Sequence, residues 1–278
     1  MDRFKSLVDE ACSVIAEEAS GRFRVPSRNG MLVTLDLSPT VVVGDLHGDL
    51  SALTEILECS GISGRLDRGW RIAFLGDYGD RGPDSLGVYE AILELKVRYP
   101  SGVLLLKGNH EALDLIRFQP HDLPDQARAR YGSRWFEVYG SILKLHSMLP
   151  SAAIYGDHAL LVHGGIFKGL SRGALESPKR EELEAMLWSD PTEDFEGIAA
   201  SPRGAGARFG PAVTHEALRK LGVGIVVRSH SMVPSGYRFN HGGRVLTIFS
   251  AKYVYGLETG AYLVLGDGRA VAEGIELF

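Results

Sequence analysis

The chain has 278 residues, of which 45% are hydrophobic and 23% are charged, and its formal net charge is −5. This composition is typical of a soluble globular protein with a sizeable core, and the acidic balance argues against a nucleic-acid-binding surface, which needs a basic patch. No apolar run reaches the ~18–20 residues of a membrane span, and the amino terminus does not look like a signal peptide, so we expect a cytoplasmic protein without a membrane or nucleic-acid partner.

The first predicted element is an amphipathic helix near the amino terminus. Its apolar residues recur at helical spacing, and acidic residues occupy most of the other face. The apolar positions are Phe4, Leu7, Val8, Ala11 and Ile15. This pattern predicts a helix that packs on the surface of a core.

The first candidate site is the stretch VVVGDLHGD at residues 41–49. Its three valines indicate a short buried strand, because the run is too short and too β-branched for a helix. Asp45 and His47 follow on a glycine-flanked turn, where a carboxylate and an imidazole can point at the same ion. A plain strand followed by a solvated aspartate explains this stretch alone equally well.

The second motif, RIAFLGDYGDRGP at residues 71–83, again ends an apolar strand in Gly-Asp. Asp77, Asp80 and Arg81 crowd one turn, and a helix is predicted to start near Pro83, since proline suits the first turn of a helix. Three charged groups at the junction of a strand and a helix indicate a built site more than a solvated loop.

The third motif, VLLLKGNHE at residues 103–111, places Asn109 and His110 after a buried strand. Glu111 is predicted to begin the following helix, where a carboxylate is favourable at the positive end of the macrodipole. Residues 125–147 are predicted to be helical.

Two further apolar strands end in histidine. ALLVHGG carries His163 and GIVVRSH carries His230, and a glycine-rich loop at residues 202–210, which includes Arg203, lies between them. Residues 245–250 and 261–265 are predicted as additional strands.

Five predicted strands therefore end in metal-ligand residue types, and function in open α/β sheets collects beyond the carboxyl ends of strands. The six candidate ligands are Asp45, His47, Asp77, Asn109, His163 and His230. Oxygen and imidazole donors without thiolate suit divalent first-row metals, and six ligands exceed the need of one tetrahedral ion. The residues alone predict a dinuclear metal site, and a carboxylate shared by two ions about 3.5–4 Å apart would suit hydrolysis at phosphorus.

The histidines outside these motifs are assigned to the surface or to the core and not to the metal site. They are His121, His146, His158, His215 and His241. Cys12 and Cys59 lack CxxC spacing, and no further cysteine could complete a zinc cluster.

The series GDLHG, GDYGDRG, GNHE, HGG and RSH, in this order, resembles the phosphoprotein phosphatase family of metal-dependent serine/threonine phosphatases, within the metallophosphoesterase superfamily. It runs from about Val41 to Gly256, and the stretches LWSDP at 187–191 and IFSA at 248–251 are similar to further family segments. The resemblance implies an α/β metallophosphoesterase fold with two stacked central β-sheets flanked by α-helices. It also implies a single catalytic domain over residues 1–278.

The resemblance distributes the six ligands over two divalent ions, with manganese expected and iron or zinc as alternatives. The first ion would be held by Asp45, His47 and Asp77. The second would be held by Asp77, as a bridging carboxylate, and by Asn109, His163 and His230. A water between two cations is a hydroxide near neutral pH and can attack phosphorus.

Four other residues gain roles from the resemblance. His110 resembles the family's general acid, and Asp80 resembles the carboxylate that pairs with it. Arg81 and Arg203 resemble the two arginines that bind the substrate phosphate, which guanidinium groups contact bidentately. The implied reaction is hydrolysis of phosphoserine and phosphothreonine in protein substrates, in which the poor alkoxide leaving group makes a general acid worth roughly 10²–10⁴ in rate.

The sequence departs from the family in its SAKYVYG stretch at residues 250–256, where relatives have SAPNYCG. Val254 replaces a site-facing tyrosine, unless Tyr253 or Tyr255 turns in to take its place. An alternative function is a small-molecule phosphoesterase, such as a symmetrical dinucleoside tetraphosphate hydrolase, although Asp80 and Glu111 favour the protein phosphatases. A catalytically inactive phosphopeptide-binding protein is disfavoured, because it would not need the six ligands and the acid.

Overall fold

The computed structural model describes residues 2–21, 27–266, 268 and 270–278. Its α-helices in this part of the chain are α1 (Asp2–Ala19), α2 (Leu50–Cys59), α3 (Ile62–Leu66), α4 (Ser85–Arg98), α5 (Leu123–Tyr131), α6 (Trp135–Met148), α7 (Arg172–Glu176), α8 (Arg180–Trp188) and α9 (Pro211–Leu221). The strands are β1 (Ser27–Asn29), β2 (Leu32–Leu35), β3 (Thr40–Val43), β4 (Arg71–Phe74), β5 (Val103–Leu105), β6 (Ala152–Tyr155), β7 (Ala159–Val162), β8 (Asp190–Pro191), β9 (Ile198–Ala200), β10 (Ala207–Phe209), β11 (Ile225–Arg228), β12 (Tyr237–Asn240), β13 (Val245–Ile248), β14 (Ala261–Leu265) and β15 (Ile275–Leu277).

Two large sheets organise these strands. A five-stranded sheet has the order β15-β14-β3-β4-β5, and a seven-stranded sheet has the order β1-β2-β6-β7-β11-β13-β12. Strands β3, β4 and β5 run parallel, as do β7, β11 and β13. The carboxyl ends of neighbouring parallel strands therefore meet at one edge of each sheet. The strands β8, β10 and β9 form a separate small sheet.

The two large sheets stack face to face, with helices outside both. Strand β3 illustrates the arrangement, since Val42 belongs to the apolar layer between the sheets whereas Val41 and Val43 pack with the helices on the outer face. Helices α1, α2, α4 and α6 cover the five-stranded sheet, and α8 and α9 contribute to the apolar cluster on the seven-stranded sheet. The predicted α/β fold with two stacked sheets flanked by helices is confirmed.

The five motif strands and the first helix form as predicted, but two predictions need correction. Glu111 does not begin a helix, because residues 106–122 form turns and the next helix starts at Leu123. The helical stretch predicted at 125–147 is divided between α5 and α6, and Gly132 at the break has a positive φ of +57° that does not continue the helix. The glycine-rich loop also contains a strand, β10.

Within the residues that the structure describes, no helix has both the length and the apolar character that crossing a membrane requires.

Candidate active site

The turn after β3 is hydrogen-bonded to the turn after β11, and these bonds connect the two large sheets. The backbone N–H of Asp45 donates to Ser229 Oγ at 2.8 Å, and the N–H of His230 donates to Asp45 Oδ1 at 3.0 Å. A Cβ on Gly44 would lie 2.6 Å from Ser229 Oγ and from the carbonyl oxygen of Ile248. Glycine is therefore required for this close approach, which brings the ligands of the two sheets together.

Backbone strain concentrates at the turns that follow β3, β4 and β11. Positive φ angles at non-glycine residues are uncommon and cost on the order of 1–3 kcal/mol each, and they cluster at functional sites. Among the described residues six show this conformation, and five of them are predicted site residues. These five are His47, Asp77, Asp80, Arg81 and His230.

The first half of the ligand cluster surrounds the imidazole of His47. Its Nε2 lies 3.5 Å from Asp77 Oδ2 and 3.7 Å from Asp45 Oδ2, and all three side chains are buried. The other ring nitrogen, Nδ1, lies 3.2 Å from the carbonyl oxygen of Gly79 and must donate to it, which leaves a lone pair on Nε2 that faces the carboxylates.

The second half surrounds His163 on the seven-stranded sheet. Its Nε2 lies 3.0 Å from Asn109 Oδ1, 3.2 Å from His230 Nδ1 and 3.4 Å from Asp77 Oδ2. Its Nδ1 donates to the carbonyl oxygen of Leu75 at 3.0 Å. Asp77 thus contributes one oxygen to both halves, and the structure brings all six predicted ligands together.

The donor set of this cluster fits divalent cations. Buried polar atoms normally have hydrogen-bond partners, and two in this cluster have none among the described residues. Asp45 Oδ2 and His230 Nε2 are buried without a hydrogen-bond partner in the part of the chain described. Side-chain donor atoms of Asp77, His163 and His230 lie within 4.8 Å of one another, as do those of His47, Asp77 and His110, although His110 is predicted from the sequence as an acid and not as a ligand. Two cations among carboxylate, amide and imidazole donors would compensate these acceptors.

Burial and neighbouring charges favour, for most of these groups, the deprotonated form that can bind a cation. Burial lowers the pKa of His47 to about 4, so the ring is neutral at physiological pH. Burial also lowers the pKa of His230 far below its ordinary value. In His163 burial lowers the pKa, but the surrounding carboxylates, Asp77 foremost, together raise it above its ordinary value, so a cation would have to displace a proton there.

His110 and Asp80 form a buried pair beside the ligand cluster. His110 Nδ1 donates to Asp80 Oδ2 at 2.7 Å, and Arg81 Nη2 lies 3.2 Å from His110 Nε2. Burial lowers the pKa of His110, but the carboxylates of Asp77 and Asp80 raise it above its ordinary value. His110 can therefore carry a proton beside the point where Arg81 would contact a phosphate.

The two arginines lie on different sides of the cluster. Arg81 Nη1 contacts the hydroxyl of Tyr255, which therefore turns in where Val254 cannot, whereas the Tyr253 hydroxyl donates to Glu55 at 2.7 Å. Arg203 donates from Nε to Asp190 Oδ2 at 2.6 Å and from Nη2 to Ser231 Oγ at 3.2 Å. Ser231 directly follows His230, so Arg203 is held close to the seven-stranded half of the cluster.

Glu111 has a role that its sequence position did not indicate. Its Oε2 accepts the backbone N–H groups of Asp77 and Gly108, each at 2.8 Å, and Oε1 accepts that of Tyr78 at 3.1 Å. In return, Asp77 Oδ1 accepts the N–H of His110 at 2.9 Å. The turns after β4 and β5 are thus joined by two carboxylates, one from each turn.

We expect Glu111→Gln to weaken metal binding. An amide NH₂ cannot accept a backbone N–H, so one buried donor would lose its partner at a cost of about 1–3 kcal/mol, and losing such support typically lowers metal affinity about 10–100-fold. Chelator competition and thermal unfolding measure the two effects. The matched control is Glu193→Gln, since Glu193 accepts the backbone N–H of His241 at 2.7 Å outside the cluster. Equal metal affinity in both variants would contradict the assigned role.

Comparison with known proteins places these observations in a family. Residues 38–234 match the calcineurin-like phosphoesterase family. A probable serine/threonine-protein phosphatase from Encephalitozoon cuniculi is 33% identical over 244 residues, which are 84% of this chain and 52% of the relative. The chain spans about half or less of the length of the curated relatives that it matches.

Solved structures with the same fold include phosphatases of different specificity. A protein serine/threonine phosphatase from Saccharomyces cerevisiae with similarity to human phosphatase PP5 has a TM-score of 0.79 at 21% identity, covering 100% of this chain and 88% of that one. A cold-active protein-tyrosine phosphatase of a psychrophilic Shewanella species has a TM-score of 0.60 at 18% identity, covering 88% of this chain and 81% of that one. At these identities the similarity shows the fold.

Proposed function

The chain belongs to the calcineurin-like phosphoesterase family, whose fold implies a dinuclear metal site, and we propose that it hydrolyses phosphoserine and phosphothreonine in proteins. The proposal rests chiefly on one observation, the hydrogen-bonded pair of His110 and Asp80 beside six clustered ligands and Arg81. A proton donor next to a phosphate-binding arginine is what a poorly leaving serine alkoxide requires. The names of the curated relatives support the same substrate class.

We assign the metal ligands as the sequence suggested, with manganese proposed as the native metal. The ligands are Asp45, His47, Asp77, Asn109, His163 and His230. Asp77 is the proposed bridge because its Oδ2 lies within 3.5 Å of both His47 Nε2 and His163 Nε2. Two divalent ions held there would supply a nucleophilic hydroxide from water and neutralise charge on the phosphoryl oxygens.

The chain's own side chains perform the remaining chemistry. Arg81 and Arg203 bind phosphoryl oxygens, where a guanidinium fork matches their geometry and stabilises charge in the transition state. His110 donates the proton on Nε2 to the leaving alkoxide oxygen as the P–O bond breaks. Asp80 accepts the Nδ1–H of the same ring and so fixes its orientation.

The substrate class is tested with peptides that contain phosphoserine, phosphothreonine or phosphotyrosine, beside a symmetrical dinucleoside tetraphosphate. We expect turnover of the phosphoserine and phosphothreonine peptides that is lost after chelation and restored best by Mn²⁺. Turnover confined to the dinucleotide would favour a small-molecule phosphoesterase. Full activity in protein shown to be metal-free would overturn the proposal.

The phosphate contacts give a second test. Arg81→Ala and Arg203→Ala should each lower kcat/KM by about 10²–10³-fold while leaving the metal content unchanged, because each removes a charged donor to the transferred group. Lysine should restore little, since a point charge does not reproduce a planar fork. Wild-type kinetics in either alanine variant would remove that arginine from the site. Arg238→Ala, at an exposed position on β12, is the matched control.

A further inference from the structure

A second histidine, His121, contacts the carboxylate that orients His110. Its Nδ1 lies 3.0 Å from each oxygen of Asp80, and its Nε2 lies 2.8 Å from the hydroxyl of Tyr139. Since the carboxylate is an acceptor, Nδ1 of His121 carries the hydrogen, and the hydroxyl completes the bonding of the opposite nitrogen. Two imidazoles therefore share one carboxylate.

The hydrogen bonds to Asp80 are unevenly divided between its two oxygens. Oδ1 accepts the backbone N–H groups of Asp122 and Leu123, each at 2.9 Å. Among the described residues, the hydrogen bonds to Oδ2 come from the rings of His110 and His121. The backbone thus fixes the position of Oδ1. His121 contacts both oxygens and so fixes the plane of the Asp80 carboxylate relative to the ring of His110.

The segment of residues 118–122, which contains His121, also contacts His110 and Arg81, the two groups beside the proposed phosphate position. The ring of Phe118 lies 3.9 Å from that of His110 and 5.4 Å from that of His121, measured between centroids. Asp122 Oδ1 accepts the backbone N–H of Arg81 at 3.1 Å. His121 therefore belongs to a segment that contacts the acid His110, the carboxylate of Asp80 and the turn that carries Arg81.

We infer that His121 is a positioning residue for the leaving-group proton. It acts through Asp80 by keeping the carboxylate plane aligned with Nδ1 of His110, so that Nε2 faces the leaving oxygen. The inference rests on the proposed function, in which His110 protonates that oxygen. A phosphoserine alkoxide needs the proton whereas a nitrophenolate leaves without it, so the contribution of His121 must depend on the leaving group.

The test compares kcat for a phosphoserine peptide and for p-nitrophenyl phosphate in His121→Phe, which keeps an aromatic ring but removes the donor. The loss of one oriented hydrogen bond predicts a fall of about tenfold with the peptide and a much smaller fall with p-nitrophenyl phosphate. His121→Asn, whose amide can replace the Nδ1 donor, should recover most of the activity. His215→Phe, on the exposed face of α9, is the matched control.

Metal content and melting temperature are measured on each variant, and His121→Leu replaces the phenylalanine variant if that one fails to fold. Equal losses on the two substrates, or no loss on either, would overturn the inference while leaving the proposed function intact. A wild-type chain that hydrolyses p-nitrophenyl phosphate but no phosphopeptide would instead contradict the proposed function. In that case the role of His121 is tested by comparing kcat for an alkyl phosphate, which has a poor leaving group, with kcat for a phenyl phosphate, which has a better one.

Discussion

Replacing His110 with asparagine is expected to lower kcat for a phosphoserine peptide by about 10²–10⁴-fold, the usual contribution of a positioned general acid. The loss with p-nitrophenyl phosphate should be far smaller, because a nitrophenolate is a good leaving group. Metal content should not change, since Asn109 and not His110 is the assigned ligand. Steady-state kinetics on the two substrates and metal analysis by mass spectrometry measure these quantities.

The neighbouring carboxylate provides an internal comparison for this result. Asp80→Asn should show the same dependence on the leaving group more weakly, because Asp80 orients the acid without transferring the proton. If His110 only packs the turn before Glu111, both substrates would lose equal activity through lower stability or metal content. Equal losses in a folded, metal-loaded His110 variant would therefore exclude the general-acid role.

Asp77→Asn is expected to have the largest effect on metal binding. The Oδ2 atom of Asp77 lies between His47 and His163, so one substitution removes negative charge from both halves of the cluster. Removing one preorganised electrostatic group costs about 10²–10³ in rate, and we expect at least this loss because both ions are weakened. Metal stoichiometry should fall for both ions, whereas Asp45→Asn should affect mainly one.

Two further measurements complete this comparison. Asp157→Asn, at an exposed position between β6 and β7, controls for the loss of one carboxylate anywhere in the chain. Circular dichroism of each variant separates loss of metal from loss of fold. Equal metal content and equal rates in the Asp77 and Asp45 variants would contradict a bridging role for Asp77.

The local pattern of the chain was enough to predict the strands that carry the site. Short apolar runs such as that of β3 end at a glycine followed by ligand-type residues, and both features are visible over nine residues. Parallel strands place their carboxyl ends at one edge, so the meeting of Asp45, Asp77 and Asn109 could be predicted. Strand β6 was not predicted, although Gly156 and Asp157 follow it in the same order, and Asp157 is exposed outside the site.

The missed features depend on contacts between distant residues. Glu111 has the sequence context of a helix start, but its partners are backbone groups of a turn more than thirty residues earlier. His121 reaches Asp80 across a separation of 41 residues. The SAKYVYG stretch left open which tyrosine turns in, and only the backbone path after Ser250 brings Tyr255 to Arg81. No periodicity or local propensity encodes such pairings.

The proposed ligands come from both sheets, and this arrangement links catalysis to folding. Asp45, Asp77 and Asn109 follow strands of the five-stranded sheet, whereas His163 and His230 follow strands of the seven-stranded sheet. An ion coordinated by Asp77 and His163 would cross-link the two layers, and it can bind only while they are stacked. By mass action, each tenfold rise in free metal above the dissociation constant would add about 1.4 kcal/mol per ion to the free energy of unfolding. Metal supply would then set the equilibrium stability of the folded chain as well as its activity.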